Sequence, residues 1–337
     1  MVDLTTSYLG LALENPLVPS SSPLTGSLDN ARRLEDSGAG AIIMPSLFEE
    51  EILAEQERLD RFLDGQAIGH GEADSFRPLP AHYRSREEAY LETLQSLKSS
   101  LSIPVLASLN GVTPGGWLDH AKDLEEAGAD ALELNVYYLA GDPDETSEQV
   151  EQRYVDIAAA LNIHVNIPFA MKLSPQLTAP IALVERLRAA GADGVSLFNR
   201  FYQPDIDLES LDVVPRLALS EADEALLRIR WAALMFERVD CDIAVTGGFH
   251  TAADVLKALL AGADVVHLCS LLLREGPQAL GDLRSQLLQL LEEREYDSVA
   301  QLKGSLSQRR SPDPAAYARA NYLSVLQNYR SPAGVHS

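Results

Sequence analysis

The chain has 337 residues, with 27 Lys+Arg against 50 Asp+Glu and a formal charge of −23 with His neutral. That charge argues against nucleic acid, anionic membranes and other polyanions as partners, because such surfaces would repel it. Apolar residues make up 46% of the chain, enough for a large core, and two cysteines (Cys241 and Cys269) exclude a disulfide framework or a four-cysteine metal site. The N-terminus lacks a basic, then apolar, secretory pattern, and no run approaches the ~20 apolar residues of a membrane span. The expected compartment is the reducing cytosol.

Residues 4–13 predict a short hairpin, and PLVPS (16–20) a first buried strand. The phrase DSGAGAIIM (36–44) then reads as the end of a helix, a Gly C-cap and a second strand. It recurs as EAGADALEL (126–134), AAGADGVSL (189–197) and LAGADVVHL (260–268). Between these phrases lie IPVLASLN (103–110), IPFAMKL (167–173) and DIAVTG (242–247). Eight apolar runs result, at about 16–20, 40–44, 104–108, 131–135, 168–173, 194–198, 242–246 and 264–268, with amphipathic helical segments between most of them. Apolar strands alternating with helices predict a parallel sheet covered on both faces, and eight such units predict an α/β fold of the (β/α)8 TIM-barrel type. Residues 47–90 form a long acidic insertion after strand 2. It is read either as part of the active rim or as a solvated flap or oligomer contact. The expected organisation is one barrel domain over residues 1–310 and a loosely ordered tail over 311–337.

Barrels build their sites at the carboxyl ends of the strands. Those ends read Ser20-Ser21-Ser22, Pro45-Ser46, Ser108-Leu109-Asn110, Asn135, Lys172, Phe198-Asn199-Arg200, Thr246-Gly247-Gly248 and Cys269-Ser270. Small hydroxyls, amides and one lysine suit a flat, multiply hydrogen-bonded ligand and predict no metal, which would call for His and carboxylates. Thr246-Gly247-Gly248, with Thr251 capping the next helix, and Cys269-Ser270 predict a phosphate cup after strands 7 and 8. In so acidic a chain the cup is read as a site of backbone dipoles rather than of basic side chains. Lys172 interrupts an apolar strand; it is either a rim or ion-paired lysine, or a fixed cation where a ligand gathers negative charge. Asn135 and Asn199 end buried strands and either tie loops or bind ligand. The seven histidines show no ligand spacing, Cys269 has no recognisable base beside it, and Glu133 is read as a structural ion-pair partner.

NPLVPSSSPLT, ELN, AMKLSP, LFNRFYQPDIDLE, TGGFHTAADVLKALLAGADVV, LLLREGP and EYDSVAQLKGSLS, in that order, resemble the dihydroorotate dehydrogenases over about residues 4–307. These are FMN-dependent (β/α)8 enzymes of pyrimidine biosynthesis. The resemblance implies FMN across the barrel mouth, with Ser20 and Ser21 under the flavin, Ser46 against the isoalloxazine, and Asn135 and Lys172 on the ring. It places Gly247, Gly248, Cys269 and Ser270 at the phosphate and Asn199 on the orotate ring. In the loop after strand 4, where the family carries a Cys or Ser base, this chain reads Asn135-Val136-Tyr137-Tyr138-Leu139, which puts Tyr138 at the base position. Pro45 replaces an expected lysine, and the substrate asparagine expected near Pro78-Leu79-Pro80 is not evident. The resemblance also implies a soluble homodimer acting on a small molecule. Three alternatives to dihydroorotate oxidation stand beside it: a flavin reductase of another small cyclic substrate with Tyr138 as proton donor, a flavin-binding module without turnover, and a non-flavin barrel for a sugar phosphate.

Overall fold

The computed structural model describes residues 2–55, 57, 85–113, 115, 118–328 and 330. It opens with an antiparallel hairpin, β1 (Thr6–Tyr8) and β2 (Leu11–Leu13). Six strands then alternate with five helices: β3 (Leu17–Pro19), α1 (Leu28–Asp36), β4 (Ile42–Phe48), α2 (Arg86–Ser100), β5 (Val105–Asn110), α3 (Asp119–Glu126), β6 (Ala131–Asn135), α4 (Ser147–His164), β7 (Phe169–Leu173), α5 (Pro180–Ala189) and β8 (Gly194–Leu197). A small hairpin, β9 (Asp205–Asp207) and β10 (Asp212–Val214), interrupts the alternation before α6 (Ala225–Met235). The chain closes with β11 (Asp242–Thr246), α7 (Ala252–Ala261), β12 (Val265–Leu268), α8 (Ser270–Glu275), α9 (Gln278–Glu293), α10 (Val299–Leu302) and α11 (Ala320–Asn328).

Eight strands form one parallel sheet in the order β3-β12-β11-β8-β7-β6-β5-β4. At the seam between its ends, Gly40 N–H donates to the Leu17 carbonyl at 2.9 Å, so the sheet is a nearly closed barrel. Gly40 must be glycine there, since a Cβ would collide with the Asn15 carbonyl. All eight expected strands are present within two residues at their starts, and the expected 4–13 hairpin forms. The β9–β10 hairpin was not legible in the sequence. The helical start of the post-strand-2 insertion covers residues 49–55, and residues 58–84, including Pro78-Leu79-Pro80, lie outside the described residues. Within the segment expected as a tail, Pro314–Tyr317 and Ala320–Asn328 are helical.

Two apolar cores account for this architecture. The larger lies between sheet and helices; the smaller fills the barrel interior with Val18, Ala41, Ile43, Leu106, Ala131, Ala170, Ala244 and Val265. Tyr8, Leu9 and Leu13 of the first hairpin plug that interior from below. The recurring Gly-Ala-Asp phrase does more than cap a helix. Asp130, Asp193 and Asp264 each accept a hydrogen bond from the first amides of a neighbouring strand, at Val105, Phe169 and Ile243, at 2.7, 2.9 and 2.7 Å. The carboxylate thus pins the start of one strand to the start of the next.

The floor of the barrel carries an acid with a measurable consequence. Burial, then the nearby Asp264 charge, pushes the Asp242 carboxyl up to about 6, although it accepts the Leu9 N–H at 2.6 Å. A raised folded-state pKa means that the unfolded chain ionises first, so stability falls as pH rises from about 4 to about 6. Asp242→Asn keeps an acceptor for Leu9 and removes the charge. Thermal unfolding is expected to lose this slope and to gain about 1 kcal/mol at pH 7 after screening at the exposed edge, or about 2–4 °C. A variant as pH-dependent as the parent would place the titrating group elsewhere.

Candidate active site

The carboxyl ends of the barrel strands surround a cavity of about 410 Å³. This lies in the range of small-ligand sites. Ser20 and Ser21 reach it from the end of β3, Ser46 from β4, Asn135 from β6 and Lys172 from β7. Asn199 follows β8, Gly247 and Gly248 follow β11, and Cys269 and Ser270 follow β12. Parallel strands all end on one rim, so residues up to 250 positions apart in sequence converge. The Ser46 hydroxyl lies 2.8 Å from that of Ser108 and 3.4 Å from that of Ser21. Asn199 Nδ2 donates to Asn135 Oδ1 at 2.6 Å, joining the two amides across the mouth.

Lys172 reaches the cavity but is not a free cation. Its ammonium donates to Glu133 Oε1 at 3.2 Å, and the other carboxylate oxygen lies 3.4 Å from His267 Nδ1. Glu133 and His267 are both about 1% exposed. Burial alone would raise the Glu133 carboxyl; Lys172 and His267 outweigh it and hold the group down to about 2. Glu133, in the middle of β6, thus lies beneath the mouth as the ion-pair partner that the sequence suggested, and its partners are Lys172 and His267. His267, which sequence spacing did not single out, is buried and lines the cavity. Alternation in β6 and β12 places Glu133 and His267 inside the barrel, a signal that becomes readable only once the strands are known to close.

The cup after β11 and β12 also departs from expectation. Arg228 of α6, 5% exposed, stands behind it and donates from Nε to the Thr246 carbonyl at 3.0 Å and from Nη1 to the Glu224 carbonyl at 2.8 Å. A Cβ on Gly247 would come 3.2 Å from Arg228 Nη2. The cup is thus backed by a buried basic side chain as well as by backbone. Ser220, absent from the sequence-based set, lines the cup: its hydroxyl accepts the Gly248 N–H at 3.1 Å and donates to Ser270 Oγ at 2.8 Å. Gly248 has φ +91°, and a Cβ there would strike the Ala225 amide and stand 2.9 Å from the Glu221 carbonyl. Its glycine is required by packing against the 221–225 segment, away from the cavity. Burial pushes the Cys269 thiol up, with Lys172 opposing, which does not favour a nucleophilic thiolate.

Tyr138 is the expected residue that the cavity leaves out. Its phenol donates to Glu145 Oε2 at 2.7 Å, and Arg153 lies 4.2 Å over its ring. The hydrogen bond to Glu145 raises its pKa further. Successive residues leaving a strand end point in different directions, and the neighbour Tyr137 lines the cavity instead. Tyr137 stacks on Phe201 at 4.4 Å and accepts the Tyr202 N–H at 3.0 Å. With Phe48 and Tyr202 it gives the mouth an aromatic rim.

A nearly closed (β/α)8 barrel with a cavity of hydroxyls, amides and one ammonium at the strand ends defines a ligand-binding barrel of the enzyme type. The sequence profile of the dihydroorotate dehydrogenase family matches residues 82–291. The chain is 26% identical over 310 residues to the "Dihydroorotate dehydrogenase B (NAD(+)), catalytic subunit" of Listeria innocua, covering 86% of this chain and 97% of that protein. It is 23% identical over 323 residues to the protein of the same description from Thermoplasma acidophilum, covering 90% and 99%. It is 24% identical over 323 residues to the "NAD-dependent dihydropyrimidine dehydrogenase subunit PreA" of Escherichia coli K12, covering 90% and 76%. The chain belongs to the dihydroorotate dehydrogenase family and is an oxidoreductase of that type. Among the described residues no helix is long and apolar enough to cross a membrane.

Proposed function

We propose that this protein is an FMN-dependent oxidoreductase acting on the CH–CH bond of a small cyclic substrate, related to the oxidation of dihydroorotate to orotate in pyrimidine biosynthesis. The observation that carries the reading is the gathering of Ser20, Ser21, Ser46, Asn135, Lys172 and Asn199 with the Gly247-Gly248 and Cys269-Ser270 turns around one cavity. This donor set fits FMN: small hydroxyl-bearing residues leave room for a flat ring, amides answer its ring heteroatoms, and the Arg228-backed cup suits its phosphate. When bound, the flavin supplies a hydride acceptor. Ser20, Ser21 and Ser46 would form its floor, and Asn135 would fix the ring. Lys172 would hold positive charge at the edge where electron density accumulates. Asn199, already tied to Asn135, would orient the substrate ring.

The substrate side supports a departure from dihydroorotate. Tyr137, Tyr202 and Phe48 supply an aromatic rim, which favours as a second reading a conjugated or more apolar ring substrate. The test is anaerobic: purified protein is reconstituted with FMN, and its flavin absorbance is followed on adding dihydroorotate. Bleaching supports dihydroorotate oxidation. A bound flavin that does not bleach assigns the site to another substrate or to binding without turnover, and a chain that cannot hold FMN overturns the reading in favour of a sugar-phosphate barrel.

Because Tyr138 donates to Glu145 and does not line the cavity, it has no part in proton transfer on the reading proposed here. With whichever substrate reduces the flavin, Tyr138→Phe is expected to change the reduction rate by less than about twofold, under about 0.5 kcal/mol of barrel-specific barrier change. A loss above tenfold in stopped-flow reduction would return Tyr138 to the base position.

A homodimer belongs to the same proposal and is supported by the β9–β10 hairpin. Ile206, Leu208, Leu211, Val213 and Leu217 are 63–82% exposed there, an apolar surface of the kind that marks a protein contact. Leu208→Glu with Leu211→Glu is expected to shift sedimentation from dimer to monomer at micromolar concentration. A parent that already sediments as a monomer sinks the dimer. A cytoplasmic location is supported by the unpaired thiols of Cys241 and Cys269.

A further inference from the structure

The barrel interior below the mouth holds three groups that can carry charge: Lys172 on β7, Glu133 on β6 and His267 on β12. Glu133 bridges the other two, at 3.2 Å to Lys172 Nζ and 3.4 Å to His267 Nδ1. Ser196 Oγ on β8 lies 3.4 Å from the same His267 nitrogen, and the Tyr8 ring of the hairpin meets the imidazole edge-on at 5.7 Å. In the sheet register His267 lies beside Thr246 of β11 and Val18 of β3, neither of which titrates. Burial and the charge of Glu133 push the Tyr8 phenol well above its ordinary pKa, so it adds no charge. His267 Nε2, the Tyr8 hydroxyl and the Glu133 oxygen facing His267 are buried without a hydrogen-bond partner among the described residues, so Glu133 and His267 are coupled by charge across 3.4 Å rather than by a hydrogen bond.

Lys172 and Glu133 cancel. A neutral imidazole leaves the unit beneath the mouth with no net charge; a protonated one makes it positive by one. Imidazole is the side chain whose charge changes near neutral pH. The geometry points to His267 as the residue that sets the charge of the cavity, taking up a proton when negative charge arrives beside Lys172 and releasing it when that charge leaves. His267 acts through Glu133 and Lys172 and is a positioning residue. The inference rests on the flavin reading above. The step balances: one substrate C–H gives its hydride (two electrons and one proton) to the flavin, the neighbouring C–H proton is released to solvent as the C=C bond forms, and one proton is taken from solvent by the His267 imidazole.

The test is the midpoint potential of FMN bound to the intact protein, measured from pH 6 to pH 9 in the parent and in His267→Gln and Glu133→Gln. A two-electron couple with one proton loses about 30 mV per pH unit, and a second proton doubles that slope. The parent is expected to show the doubled slope over part of the range. His267→Gln is expected to show the single slope at a lower potential, because the positive charge never forms. Glu133→Gln is expected to show the single slope at a higher potential, because Lys172 is left uncancelled. Opposite displacements with one shared loss of slope are not what general loosening of the site would give. If His267→Gln does not fold, Glu133→Gln decides alone. Bound flavin whose slope is the same in parent and variants overturns the role of His267 while leaving the flavin reading standing. A chain that retains no FMN fails earlier and overturns both.

Discussion

Lys172→Met is expected to cost about 3–5 kcal/mol of unfolding free energy, the largest stability effect of any single change in the site. Glu133 is 1% exposed and bonded to the lysine ammonium. Removing the cation leaves a buried carboxylate facing only His267. The chain must then hold an uncompensated charge or protonate it at the expense of folding. The sign follows from the depressed Glu133 pKa: its contribution is present above the unfolded value of about 4.5 and is lost as pH falls toward about 2. Denaturant unfolding at pH 7 measures the effect. Adding Glu133→Gln to Lys172→Met should restore most of the loss, because two neutral partners leave no buried charge. A single variant as stable as the parent would mean that water reaches the interior and the pair is only a rim contact. Lys172 therefore both lines the cavity and serves as counterion to Glu133.

On the flavin reading proposed above, Arg228→Met is expected to weaken FMN binding by about 10- to 100-fold, as loss of about 1.5–3 kcal/mol of charged hydrogen bonding would do. The guanidinium is anchored on the carbonyls of Thr246 and Glu224. It stands directly behind Gly247 with Glu224 Oε2 3.5 Å from its Nη2, so its loss takes a counterion from that carboxylate beside the cup and frees the turn that shapes it. Riboflavin provides the control, since it carries the ring without the phosphate. Its affinity should change by less than threefold in the same variant. Titration of protein fluorescence with both ligands gives the ratio. Equal weakening of both would assign Arg228 to general scaffolding, and unaltered FMN affinity would leave the cup to backbone alone.

Glu133, His267, Ser220 and Arg228 mark the boundary between what could be read along the chain and what could not. The barrel itself was legible because its signals are local. A Gly in the left-handed conformation after each helix, then four or five apolar residues, specifies helix, cap and strand whatever lies elsewhere, and Gly38, Gly128, Gly191 and Gly262 all have φ between +89° and +120°. Ser20, Ser21, Ser46, Asn135, Lys172, Asn199, Gly247, Gly248, Cys269 and Ser270 followed from the same logic, since a parallel barrel places every strand end on one rim. Chain direction alone could not resolve Tyr137 from Tyr138, because adjacent residues leaving a strand diverge by half a turn of the pleat and only the loop path selects one.

Closure decided the rest. A charge inside a strand reads the same in sequence whether it faces helices or the barrel axis, yet only on the axis can Glu133, from strand 4, meet His267, from strand 8, across 134 positions. Arg228 looks like one more polar residue on a helix until α6 packs against the turn after β11. Sequence determined the eight barrel strands and which residues stand at their carboxyl ends, because these depend on neighbours along the chain, but not the β9–β10 hairpin or the helix at Ala320–Asn328. Tertiary structure determined the charge of that site, because Coulomb energy depends on distance in space and on exclusion of water, neither of which sequence separation reports.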